Sequence, residues 1–144
     1  MTKADRAAAM FAEGFSCSQA VFTAFSGDLG LARDTSLKLS QPFGGGMAHL
    51  GEACGAVTGA FMALGLKYGR TRADDLEARD KTYALQRRFA EKFKGLHCSI
   101  QCRCLLGLDI GTEAGMTLAR EKNLFKTLCA GYVRNAAEIL DEIL

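Results

Sequence analysis

The chain has no tryptophan and one proline, Pro42. With so few breakers among many alanines and leucines, the composition favours helices. No stretch alternates apolar and polar residues for long enough to suggest a strand, and there is no internal repeat or linker. No block of one charge sign stands out either: 18 Lys and Arg are interleaved with 16 Asp and Glu, for a net charge of +2. The run Gln86-Arg87-Arg88 is followed within a turn by Glu91, which reads as a solvated helix face. Without a basic stripe, a nucleic-acid partner is not expected. The longest apolar run, residues 53–66, ends at Lys67 and falls short of the about 20 residues that cross a membrane. With Gly55, Gly59 and Gly65 inside it, it reads as a buried central helix. Residues 1–12 lack the long apolar core of a secretory signal, so the expected location is cytoplasmic.

Against these absences stand six cysteines: Cys17, Cys54, Cys98, Cys102, Cys104 and Cys129. In a reducing compartment structural disulfides are rare. A chain of 144 residues also has enough mass for a core without them. The cysteines are therefore expected to be reactive thiols or metal ligands.

The helical punctuation is clear. A first helix spans residues 3–13 and stops at Gly14. A second follows Ser16, where Ser16 and Gln19 fit a capping box, and ends at Gly27. A short helix runs over 34–40, ahead of Pro42. Gly44-Gly45-Gly46 reads as a flexible loop before the central helix at 51–67, which Gly69 terminates. In the next helix, over 74–95, Asp74 and Glu77 suggest a second capping box. Ala78, Thr82, Leu85, Phe89, Phe93 and Leu96 mark its inner face, and Gly95 closes it. Residues 97–107 read as a cysteine-rich turn. Two further helices cover 113–122 and 124–143. The expectation is a single all-α domain over residues 1–144, a bundle of about six to seven helices.

Cys17 and Cys54 both fall at predicted helix starts, where unpaired amides and the positive end of the helix dipole stabilise a thiolate. Cys98, Cys102 and Cys104 form a C-x3-C-x-C cluster beside His97, a spacing compatible with metal binding or disulfide exchange but without the paired C-x-x-C of zinc ribbons. Cys129 lies alone inside the last helix, where burial as a small apolar side chain is the ordinary explanation. His49, between the glycine loop and Cys54, is a candidate base or ligand as well as a plain surface histidine. Gly44-Gly45-Gly46 lacks the Lys-Ser or Lys-Thr of a phosphate loop, and neither histidine has an evident serine–carboxylate partner. Gly55 and Gly59 share one helix face, so a second backbone can approach there.

Cys54-Gly55-Ala56-Val57-Thr58-Gly59 has the form C-G-A-x-x-G. With Gly14-Phe15-Ser16-Cys17-Ser18-Gln19-Ala20 before it and Leu64-Gly65-Leu66-Lys67-Tyr68-Gly69 after it, the chain resembles the redox-active family labelled C_GCAxxG_C_C. The likeness resumes at Cys102-Arg103-Cys104-Leu105-Leu106-Gly107. It closes with Cys129, Tyr132-Val133 and Ala136-Ala137-Glu138-Ile139-Leu140. The resemblance implies that Cys17, Cys54, Cys102 and Cys129 carry the function, and it leaves Cys98 and Cys104 outside the pattern.

Three readings stay open at this point. In the first, the four cysteines perform thiol–disulfide exchange or electron transfer, as a thiol-dependent oxidoreductase would, with a redox protein or a small thiol as partner. In the second, Cys17, Cys54, Cys102 and Cys129 are ligands of an iron–sulfur cluster or zinc, with His49 or His97 as a substitute donor. In the third, the protein is a helical binding module whose cysteines are core. A homo-oligomer is compatible with each.

Overall fold

The computed structural model describes residues 1–144. Helices α1 (Lys3–Glu13), α2 (Cys17–Ser26) and α3 (Arg33–Ser40) come first, and Pro42 lies in a 3₁₀ turn over Gln41–Phe43. The central helix α4 spans Gly55–Tyr68 and the long α5 spans Leu76–His97. The short α6 is Cys102–Leu106 and α7 is Glu113–Glu121. A π-helical turn, Phe125–Cys129, leads into the last helix, α8 (Ala130–Ile143). The protein is all-α, as its composition indicates. None of these helices is long and apolar enough to cross a membrane.

Local chemistry sets the entries. Thr2 and Asp5 close a reciprocal capping box on α1. Ser16 and Gln19 do the same on α2: the Ser16 amide donates to Gln19 Oε1 at 3.0 Å, and the Gln19 amide to Ser16 Oγ at 3.3 Å. Each box satisfies two amides that a helix start leaves without partners. The cap of α5 is Asp75, not Asp74; its carboxylate accepts from the Ala78 amide at 3.1 Å. Gly95 does not close α5 either. The helix continues to His97, because the His97 ring packs against Phe93 and Tyr132 and bonds Asn135 Oδ1 at 2.9 Å. Cys98, at φ 70°, then ends it.

The segment read as a cysteine-rich turn contains the additional helix α6, and the central helix starts later than its apolar run suggests. Both differences have one cause. Residues 51–54 lie antiparallel to residues 100–103: the Cys54 amide donates to the Ile100 carbonyl at 2.7 Å and the Cys102 amide to the Glu52 carbonyl at 2.6 Å. That pairing holds residues 51–54 extended and sets Cys54 and Cys102 at the starts of adjacent helices.

Helix α4 runs through the middle, buried continuously from Gly55 to Ala60 and again at Ala63 and Leu64. A Cβ added at Gly59 would lie 2.8 Å from the Ser18 carbonyl oxygen and 3.2 Å from Ser18 Cα. Thus α2 and α4 touch backbone to backbone, which only glycine permits here. Val21, Val57, Leu64, Phe89, Phe93, Val133 and Leu140 fill the main core. A smaller cluster of Cys102, Leu106, Ile110 and Ala119 sits beside it.

Candidate functional site

One cavity of about 620 Å³ is lined by Cys17, Cys54, Cys102 and Cys129 together. Their placement follows from the helix starts. Cys17 is the first residue of α2, Cys54 the residue before α4, and Cys102 the first residue of α6. Cys129 ends the π-helical turn, where the widened backbone carries it onto the cavity wall. The sulfur of Cys17 lies so close to Gly55 that a Cβ there would clash with it. The glycine after Cys54 thus makes room for Cys17. All six cysteines are free thiols.

Although they share a cavity, these thiols differ in acidity. Cys17 is brought down from 9.0 to about 6. The Cys54 thiol donates to it and is the largest cause; the amides of Gly45, Ser18 and Cys17 itself add to the effect against the opposing cost of burial. Hydrogen bonds to the charged form are what favour it. Cys54 moves upward, because as the donor in that pair it is held protonated, and burial adds to this. Cys102 is pushed up to about 11 and Cys129 to about 12, in both cases mainly by burial and then by the charge of Cys17. At neutral pH the set therefore holds one thiolate and three thiols.

The amide that Gly45 points at Cys17 comes from an unusual backbone. Gly45, Gly46, Met47, Ala48 and His49 all have φ between 54° and 66°, one continuous left-handed turn. The residues read as a flexible loop are thus a formed element. Three of the five are not glycine, and each such residue costs about 1–2 kcal/mol in this conformation. Backbone strain of this kind concentrates at functional sites. Gly46 is required by contact as well, since a Cβ there would fall 2.7 Å from Cys102 Cβ. The His49 ring crosses over Gly45 and borders the cavity.

The other candidates lie elsewhere. Cys98 and Cys104 are exposed; Cys104 donates to Gln101 Oε1 at 3.4 Å, and Cys98 lines a separate surface pocket with Lys94 and Gln101. The C-x3-C-x-C spacing therefore does not make one site, because α6 turns Cys102 inward and Cys104 outward. His97 is engaged by Asn135 and does not line the cavity. Nowhere do three or more His, Cys, Asp or Glu side chains converge as metal ligands. In this arrangement the four cysteines do not gather around one point as the ligands of a single zinc ion do.

Two further residues belong to this site. Tyr132 borders the cavity and donates its hydroxyl to the Leu105 carbonyl at 2.7 Å. Burial first, and the sulfur charges after it, raise its pKa and so make the phenol less acidic. In the sequence Tyr132 stands out only through the family likeness that follows Cys129. Lys126, the other, sits at the cavity edge in the π-helical turn, and nothing in the periodicity marks it.

Fold and cavity together define an all-helical protein built around a cluster of free thiols. The chain belongs to the family described as "Putative redox-active protein (C_GCAxxG_C_C)", which it matches over residues 15–143. No curated protein and no solved structure matches it.

Proposed function

We propose that this protein is a thiol–disulfide oxidoreductase, a single redox-type domain of residues 1–144, in which Cys17 is the nucleophile and Cys54 the resolving thiol. The observation that carries this is the convergence of two helix starts on one sulfur: Cys17 opens α2, and its sulfur rests on Gly55 beside Cys54, under the Gly45 amide.

The Cys17 thiolate attacks one sulfur of a disulfide R–S–S–R. The S–S bond breaks, RS⁻ leaves, and Cys17–S–S–R forms. This step also primes the next one. The negative charge that kept Cys54 protonated is gone once Cys17 is in a mixed disulfide, so Cys54 becomes more acidic at that moment. Its proton goes to the departing thiolate, and its sulfur then attacks the Cys17 sulfur. The products are a Cys17–Cys54 disulfide and a second RS⁻, which takes its proton from solvent. Two electrons pass from the protein to the substrate, and an external dithiol returns them. Cys102 and Cys129, neutral and less acidic, are the slow members of the set.

Alkylation of the reduced native protein across pH, read cysteine by cysteine by mass spectrometry, tests this. Cys17 should inflect near 6 and the other three well above it, and mild oxidation should join Cys17 to Cys54. In Cys17→Ser the fast phase should vanish, a loss of about 100-fold or more, since the thiolate is the reactive form. The proposal fails if all four thiols react with the ordinary cysteine pKa of about 8.5 and oxidation forms no disulfide. Visible absorption with stoichiometric iron, or stoichiometric zinc, in anaerobically purified protein would replace it with the ligand reading.

A further inference from the structure

The shape and lining of the thiol cavity bear on what kind of disulfide enters it. Its volume of about 620 Å³ lies in the range of pockets that enclose a small organic molecule, roughly 300–1,000 Å³. Cys54 and Cys102 are only 7% and 8% exposed, so the resolving thiol is reached through the cavity and not from a flat surface. The walls are apolar, with Phe11, Phe15, Leu105, Ile110 and Phe125 prominent among them. Lys126 is the one lysine, arginine or carboxylate in the lining. It is exposed and takes part in none of the protein's ion pairs.

Lys126 also has a defined place. It lies in the π-helical turn that carries Cys129, on the same cavity as the left-handed turn that presents the Gly45 amide to Cys17. Single π-helical turns recur at functional sites because they redirect side chains that a regular helix would point elsewhere. Here the turn brings Phe125, Lys126 and Cys129 all onto the cavity. The result is an apolar chamber with a thiolate inside and an unpaired cation at its edge.

On the basis of the Cys17 exchange chemistry, we infer that the substrate is a small organic disulfide with an apolar body and an acidic group: the body fills the cavity and the acid pairs with Lys126. The partner is thus a small molecule and not a protein disulfide. The bonds and electrons are those given above: Cys17 displaces one R–S⁻ carrying its acidic group, Cys54 displaces the second, and both leave as thiols.

Stopped-flow kinetics of the reduced protein with three disulfides provide the test. They are 5,5′-dithiobis(2-nitrobenzoate), aromatic and dianionic; 4,4′-dithiodipyridine, aromatic and neutral; and oxidised glutathione, polar. Each rate is divided by that of the same disulfide with a free cysteine peptide, which removes intrinsic reactivity. Both aromatic reagents should then exceed glutathione disulfide by about tenfold or more, the expected effect of apolar burial. Lys126→Gln should slow the dianionic reagent by about threefold, the size of an exposed ion pair, and leave the neutral one unchanged. Equal normalised rates for all three reagents, or equal slowing of both aromatic ones in Lys126→Gln, would overturn the inference while leaving Cys17 as the nucleophile. If no reagent reacts faster with the protein than with the peptide, the exchange chemistry itself falls, and this inference with it.

Discussion

Helices α4 and α5 follow one another in the chain and are built on different rules. The face of α4 that meets α2 carries Gly55 and Gly59, and the helix is buried without interruption from Gly55 to Ala60. Its apolar residues point in every direction, so no stripe marks an inner side. Helix α5 has a solvated outer surface and buries only Thr82, Phe89 and Phe93, at spacings that a single helix face explains. Their ends differ too. Cys54 stands at the amide end of α4, inside the cavity, whereas Cys98 stands at the carbonyl end of α5, exposed and outside it. One helix packs by side chains that can adjust. The other meets a neighbouring backbone that cannot, and the chemistry sits where that rigid contact brings two sulfurs together.

The sharpest way to break this comparison is to give α4 one methyl group. In Gly59→Ala the new Cβ would meet the Ser18 carbonyl oxygen at 2.8 Å, Ser18 Cα at 3.2 Å and the Phe22 amide nitrogen at 3.3 Å. These are backbone atoms of a helix, so relief requires α2 to move. Overpacking of this kind should lower stability by about 2–3 kcal/mol, read from urea unfolding. It should also bring Cys17 closer to ordinary acidity, because its sulfur and the amides around it move apart. A stable Gly59→Ala with Cys17 still titrating near 6 would show that the close approach of α2 and α4 is not what holds the pair.

The next contrast is among the cysteines of the cavity, and pH separates Cys17 from Cys102 and Cys129. Between pH 6 and 9 the unfolded chain keeps the Cys17 proton and the folded chain has lost it. Stability therefore rises with pH through that window and is lost as pH falls through 6. Above pH 9 the sign reverses. Cys102 and Cys129, pushed up to about 11 and 12, keep protons that the unfolded chain releases, so stability declines again. The rise should amount to roughly 2 kcal/mol or more in urea midpoints compared at pH 6 and pH 9. Cys17→Ser should flatten it, and Cys98→Ser should leave it in place. A rise that survives in Cys17→Ser would assign the acidity to another group.

The same contrast explains what could be read in advance. Elements that announce themselves by local chemistry were legible: the Ser16 and Gln19 box, the stop at Gly14, and the periodic inner face of α5 as far as Phe93, whereas Leu96, expected on that face, is exposed. Gly55 and Gly59 also pointed correctly to a close approach. What could not be read depends on partners distant in the chain. The pairing of residues 51–54 with 100–103 delays the start of α4 and creates α6, so Cys102 joins Cys17 and Cys54 at a helix start. The left-handed turn at residues 45–49 contradicts the expectation of a flexible loop, because Met47, Ala48 and His49 are poor residues for that conformation and only the surrounding contacts impose it. The close spacing of Cys98, Cys102 and Cys104 misled for a related reason: proximity along the chain says nothing about which side of a short helix faces inward.

The smallest expected effect lies at the end of α5. Gly95 is a helical residue two positions before the terminus; it is exposed, and no atom lies within 4 Å of the place a Cβ would take. Its backbone has no positive φ to protect. The glycine there therefore has only its entropic cost, and Gly95→Ala should raise stability by about 0.5–1 kcal/mol. Because the last turn is already held by the contacts of His97 with Phe93, Tyr132 and Asn135, the gain should fall toward the lower figure. The measurement is again the urea midpoint, with thiol reactivity as a second readout that should not change. The same glycine-to-alanine change would then destabilise one helix and stabilise the next. A loss of stability in Gly95→Ala would mean that α5, too, meets something a methyl group displaces, and the contrast between the two helices would narrow to their cysteines.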